Sequence, residues 1–153
     1  MSTLLLPDEA ATERLGSELA SRLRPGDVVA LSGDLGAGKT TLARGILKAL
    51  GLEEEAPSPS FAIVQPYDLP EVRLPVWHVD LYRLEGAGDA EELGLEEALD
   101  YAVLLIEWPE RLGASLWSDA LRLKLEIGEG GARRLTAIVP PAWEERWPPD
   151  RSR

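Results

Sequence analysis

The sequence predicts an α/β fold whose sheet is mostly parallel at its centre with antiparallel edge strands, and three observations carry that prediction. Val28-Val29-Ala30-Leu31 and Val103-Leu104-Leu105-Ile106 are short continuous apolar runs, as expected of strands buried on both faces. Helical patterns fall between the strand patterns along the chain, which favours parallel neighbours joined by crossovers. Residues 121–127 instead alternate apolar with charged, and a Gly-rich stretch at 128–131 joins them to a run at 135–139, the pattern of a half-exposed hairpin.

Taken in order, Asp8 stands at an N-cap position and Ala11, Leu15, Leu19 and Leu23 follow at four-residue spacing. A packing helix therefore runs from there to the break at Pro25-Gly26. The apolar run from Val28 is the first buried strand. Residues 40–50 are again helical, and Gly51 suits the left-handed position after a helix. Residues 53–60, Glu-Glu-Glu-Ala-Pro-Ser-Pro-Ser, read as an exposed loop because their prolines bar a helix. Strands are expected at 61–64 and 74–81 on either side of a turn containing Pro and Asp, then an acidic helix at 91–99 and a buried strand ending at Ile106. One domain is expected over residues 1–139, followed by an irregular tail at 140–153 that carries Trp143, Trp147 and four prolines.

Composition removes several function classes. At about 100–200 residues per domain, 153 residues make one domain with a single core. A net charge of −11, from 27 carboxylates against 16 Lys and Arg, argues against a chain that grips nucleic acid by counterion release. The absence of Cys excludes disulfides, thiolate metal sites and a Cys nucleophile. No basic-then-apolar leader opens the sequence, and no apolar run approaches the ~18 residues of a membrane span. A cytoplasmic protein is the expectation.

The chemistry is concentrated in Gly33-Asp34-Leu35-Gly36-Ala37-Gly38-Lys39-Thr40, which fits the phosphate-loop pattern G-x-x-x-x-G-K-[ST] between a buried strand and a helix. Glycines let successive backbone N–H groups converge on phosphate oxygens, and the following helix aims its positive end at the same point. Lys39 then supplies a charge to the outer phosphates, and Thr40 a hydroxyl to Mg²⁺. Such a loop also needs a carboxylate at the carboxyl end of a neighbouring strand. Glu107, closing the Val103 run, and Asp80, closing the strand from Val76, both qualify. His78, the only histidine, reads as a hydrogen-bonded structural residue on the same face as Asp80. Trp108 reads as core, with contact to a nucleotide as the alternative.

Four motifs in this order, Gly33 to Thr41, Ser58-Pro-Ser-Phe61, His78-Val-Asp-Leu-Tyr-Arg83 and Ile106-Glu-Trp-Pro-Glu110, resemble the bacterial tRNA threonylcarbamoyladenosine biosynthesis ATPase family TsaE, also called YjeE. The resemblance extends from Leu6 to about Arg134 and implies a three-layer P-loop NTPase fold. It also implies a small Mg²⁺-dependent ATPase that acts with TsaB and TsaD in forming N6-threonylcarbamoyladenosine beside tRNA anticodons. By position, Leu35, Gly36, Ala37, Gly38, Lys39, Thr40 and Thr41 would bind the phosphates. Thr40 and Glu107 would hold magnesium, and Asp80 would assist the metal or the attacking water. Glu9 and Arg133 match family positions near the nucleotide. Ser60 stands where the family has Thr.

ATP is preferred over GTP because a chain without Asn cannot carry the guanine-reading Asn-Lys-x-Asp motif. A small-molecule kinase shares the loop but needs an arginine-rich lid, and the only adjacent Arg pair is Arg133-Arg134 in a turn. A nucleotide-dependent assembly switch that does not hydrolyse ATP has the same sequence requirements as a slow ATPase. Arg83 is the one candidate for an arginine finger. Hydrolysis by the isolated chain is therefore expected to be slow, and tight binding of tRNA by this chain alone is not expected.

Overall fold

The computed structural model of the protein describes residues 2–34, 36–53, 64–84 and 93–147. In chain order they form β1 (Ser2–Leu6), α1 (Glu9–Ala20), β2 (Val28–Ser32), α2 (Lys39–Ala49), β3 (Val64–Tyr67) and β4 (Val76–Asp80). A short α3 (Leu95–Ala98), β5 (Val103–Glu107), β6 (Leu121–Ile127) and β7 (Arg133–Ile138) follow, with 3-10 turns at Pro109–Ser115, Glu129–Gly131 and Pro141–Trp143. Among the described residues these strands make one seven-stranded sheet in the order β1-β7-β6-β2-β5-β4-β3. The four central strands β6, β2, β5 and β4 are parallel. Both edges are antiparallel, through β7 and β1 on one side and β3 on the other. This is the expected α/β class.

The apolar runs became the centre of the sheet for the reason their composition suggested. Val29, Leu31, Val103 and Leu105 face α1 and α2, whereas Val28, Leu104 and Ile106 face a thinner layer of α3, Leu112 and Ala120. Helix α1 starts as expected: the Asp8 side chain accepts from the Ala11 amide at 2.8 Å, and Ala11, Leu15 and Leu19 are wholly buried. Full burial of each Leu side chain contributes roughly 1.5–3 kcal/mol. No helix among the described residues is long and apolar enough to cross a membrane.

Two glycines set how closely α1 crosses α2. A methyl at Gly16 would lie 2.9 Å from the Ile46 amide and the Leu42 carbonyl, and one at Gly45 would lie 2.9 Å from the Glu13 carbonyl. The backbones therefore touch, which lays the first turn of α1 across the N-terminal end of α2. Gly16→Ala is expected to force the helices apart and lower stability by about 1–3 kcal/mol despite Ala's higher helix propensity. Urea unfolding reads this directly, and a midpoint that stays or rises would contradict the close crossing.

Several boundaries differ from the sequence expectation. Strand β1 was not foreseen; it exists by pairing with β7 across most of the chain length, Leu4 opposite Leu135. The strand expected at 74–81 is confined to Val76–Asp80, because its ladder partner begins only at Val103. That expected at 61–64 lies outside the described residues except for Val64, the first residue of β3, which runs on to Tyr67. Pro66 is tolerated there because β3 is an edge strand. Of the helix expected at 91–99, the described part is helical only at Leu95–Ala98. Glu54, Glu55, Ser58, Ser60, Phe61, Glu91 and Glu92 lie outside the described residues, as does Leu35.

The segment after β7 is tied down on the α1 side. Trp143 is wholly buried in the core that α1 and α2 share, and Trp147 nearly so. Arg146 stacks 3.8 Å from the Trp143 ring centre and makes a two-pronged pair with Asp27 at 2.7 and 3.0 Å. It also donates to the Arg22 carbonyl at 2.9 Å, so the desolvated guanidinium is well supplied with acceptors.

Candidate nucleotide and metal site

The turn out of β2 is built on glycines at positive φ, and at Gly33 there is no room for a side chain. Gly33 has φ 138°, and a methyl there would fall 2.3 Å from the Leu125 carbonyl oxygen. Gly38 caps α2 with φ 107° and makes no side-chain capping bond, which leaves the first N–H groups of α2 directed at whatever occupies the loop. Ala37 is the loop member whose side chain faces inward: it is buried in the core, and its amide donates to the Asp34 carbonyl at 3.1 Å.

Around this turn the strand ends supply polar groups. Asp80 and Glu107 are the last residues of parallel neighbours β4 and β5 and sit opposite each other in register. Both point to the face that carries α2, at the carboxyl edge of the sheet, where open α/β sheets bind ligands. Thr40, in the first turn of α2, meets Glu107 there: its Oγ1 lies 3.3 and 3.4 Å from the two carboxylate oxygens. His78 Nε2 reaches the same carboxylate at 2.6 Å. Asp80 Oδ1 accepts from the Tyr82 amide at 2.9 Å. Burial, reinforced by the nearby charge of Glu107, pushes the Asp80 carboxyl above its ordinary pKa, while the Tyr82 amide, His78 and Lys39 act in the opposite direction.

Lys39 is 4% exposed; its Nζ donates to the Gly33 carbonyl at 2.7 Å and lies 3.5 Å from the centre of the Trp108 ring. Burial lowers its pKa from that of a free lysine, and the carboxylates of Glu107, Glu110, Asp80 and Asp34 oppose that shift. Trp108 takes the left-handed conformation, φ 60° and ψ 50°, uncommon for a residue with a side chain, and its ring packs against Tyr82 at 4.9 Å. The indole that sequence read as core, with contact to a nucleotide as the alternative, packs against the Val28, Leu104 and Ile106 cluster and also lines the site.

These groups bound one cavity of about 430 Å³, a size suited to a nucleotide-sized ligand. Gly36, Gly38, Lys39, Thr40 and Thr41 line its floor; Asp80, Glu107 and Trp108 line one wall. Glu9 and Arg133 line it as well, with Arg133 donating to the Gly36 carbonyl at 3.1 Å. The alternation of β7 sends Arg133 into the cavity and its neighbour Arg134 to the opposite face of the sheet. Arg83 is exposed and is not part of the lining. Asp8, Thr12 and Gly131 also line the cavity. Sequence missed them because only the α1–α2 crossing and the turn before β7 bring them there.

The donor set fits magnesium. A hydroxyl and a carboxylate are hard oxygen ligands, and Mg²⁺ keeps several waters and takes one or two carboxylates plus substrate phosphates rather than a protein cage.

Comparison with known proteins places this architecture. A family model described as "Threonylcarbamoyl adenosine biosynthesis protein TsaE" matches residues 6–135. The tRNA threonylcarbamoyladenosine biosynthesis protein TsaE of Streptomyces coelicolor is 41% identical over 135 residues, which span 87% of this chain and 91% of the relative. Its namesake from Bacillus subtilis is 35% identical over 131 residues, 85% of this chain and 79% of the relative. The crystal structure of Bacillus subtilis YdiB superposes with a TM-score of 0.80 at 28% identity, covering 95% of this chain and 90% of that one. The match runs from the end of β1 into β7 and so includes the glycine turn and both strand-end carboxylates, and on it this chain belongs to the TsaE family, which functions in tRNA threonylcarbamoyladenosine biosynthesis.

Proposed function

We propose that this chain binds ATP with Mg²⁺ in the β2–α2 cavity and hydrolyses it as a subunit acting with TsaB and TsaD in the cytoplasm. One observation carries the reading: Lys39, Thr40, Asp80 and Glu107 converge on a single cavity at the uncapped N-terminal end of α2. The backbone amides of the glycine turn and the helix end bind and orient the phosphates, and Lys39 leaves the Gly33 carbonyl to neutralise the outer ones. Thr40 and Glu107 hold the magnesium ion, which when bound draws charge from the phosphate being transferred. Asp80, beside Glu107 in register, accepts a hydrogen bond from the attacking water and orients it. Glu9 and Arg133, which line the same cavity, stand near the nucleotide.

Catalysis of this kind is positioning plus electrostatics, and an arginine directed at the transferring phosphate supplies about 10³–10⁵ of the rate where one is present. Arg133 is engaged with the Gly36 carbonyl and Arg83 stands outside the cavity. The isolated chain is therefore expected to turn over slowly, and addition of the TsaB and TsaD counterparts from the same organism to raise phosphate release at least tenfold. Equal rates with and without them would contradict the proposal. The net charge of −11 supports a role in which the partners, not this chain, hold the tRNA.

A further inference from the structure

We propose that His78 is a positioning residue for the metal-binding carboxylate: its imidazole fixes the Glu107 side chain so that one carboxylate oxygen and the Thr40 hydroxyl stay directed at the cation site. The inference rests on the reading of Glu107 as a magnesium ligand and adds to it the group that holds the ligand in place.

The geometry makes the imidazole the asymmetric element. Thr40 Oγ1 is nearly equidistant from the two Glu107 oxygens, at 3.3 and 3.4 Å, so the hydroxyl does not select between them. His78 does, because its Nε2 approaches Oε2 at 2.6 Å and leaves Oε1 without a comparably short contact among the described residues. The contact is entirely within the protein: His78 is 0% exposed and Glu107 3%. It arises from strand pairing. His78 is opposite Leu105 in the β4–β5 ladder, and Glu107, two residues further along the same face, is its diagonal neighbour. A ring extending along the strand axis reaches the carboxylate without disturbing the ladder.

The other ring nitrogen separates this role from simple space filling. Nδ1 is buried and has no hydrogen-bond partner among the described residues. A hydrogen on Nδ1 would strand a buried donor and set the Nε2 lone pair against a carboxylate oxygen at 2.6 Å. The ring hydrogen is thus assigned to Nε2, where it donates to Glu107. An apolar side chain would satisfy this position of β4 without stranding a polar atom, as Val76 does two residues earlier on the same face. What the imidazole adds is the hold on Glu107, in the way partners beyond the first ligand layer orient metal ligands elsewhere.

Because His78 is the only histidine, the imidazole nitrogen signals of the full chain belong to it alone. Nitrogen-15 NMR of the wild type is expected to show a hydrogen on Nε2 and a shift of that signal in Glu107→Gln; an Nε2 that carries no hydrogen would overturn the proposal. The second arm is calorimetric titration with ADP, with and without Mg²⁺, of the wild type, His78→Leu and His78→Gln. His78→Leu is expected to keep its metal-free ADP affinity within about twofold, while its magnesium-dependent gain falls about 10- to 100-fold. His78→Gln, whose amide can still donate, should recover most of that gain. An unchanged magnesium gain in His78→Leu, or an equal loss with and without metal, would show a merely structural residue. If His78→Leu does not fold, the wild-type spectrum still decides. A wild type that binds no nucleotide would overturn the ATPase reading and the metal part of this one with it, while the NMR arm judges the His78–Glu107 contact separately.

Discussion

Lys39→Ala is expected to lower the affinity for ATP by about 30- to 700-fold, the equivalent of roughly 2–4 kcal/mol for removing one partner of a desolvated charge pair. The effect is large because Lys39 is nearly buried and lines the cavity, so its charge meets phosphate in a poorly screened place. The same burial predicts an intact fold. In the ligand-free chain the ammonium is held against desolvation, which lowers its pKa, and its removal relieves that cost while giving up one bond to the Gly33 carbonyl. Calorimetry with ATP, paired with thermal unfolding of the same sample, separates the two effects. Wild-type affinity in this variant would remove the phosphate-loop assignment.

Glu107→Gln is expected to reduce ATP turnover by about 100- to 1000-fold and to move the magnesium midpoint of the reaction to higher concentration. The amide keeps the size of the side chain and an oxygen able to accept from His78, so the loss reports the missing negative charge. Asp80→Asn provides the contrast: a residue that orients water without ligating the metal should lower the maximal rate and leave the magnesium midpoint in place. The measurement is phosphate release against magnesium concentration for the three proteins. An unchanged curve for Glu107→Gln would remove Glu107 as a ligand, and a shifted midpoint for Asp80→Asn would make Asp80 one.

What was legible in the sequence follows from the range of the interactions involved. The glycine turn and Lys39 and Thr40 after it are contiguous, and a loop that cradles phosphate through its own backbone has to be written in adjacent residues. Glu107 was legible because a fully apolar run closed by a carboxylate marks the carboxyl end of a buried parallel strand, which β5 is. Strand β1 was not: Ser2-Thr3-Leu4-Leu5-Leu6 has three consecutive leucines and no alternation, and it is a strand only because β7 pairs with it. The contributions of Asp8 and Thr12 to the cavity depend on the Gly16–Gly45 crossing, a tertiary approach that no local periodicity encodes. His78 was read as a structural histidine, and its hydrogen bond indeed lies within the core; that the partner is Glu107, 29 residues away, depends on the β4–β5 register.

The most direct test of the account is multiple-turnover phosphate release from ATP by the purified full chain, with Mg²⁺ present and with Mg²⁺ chelated. A Mg²⁺-dependent ATPase site predicts slow release, above the uncatalysed background, that stops on chelation. ATP bound in one-to-one stoichiometry but never hydrolysed, or release that continues at the same rate without the metal, would contradict it.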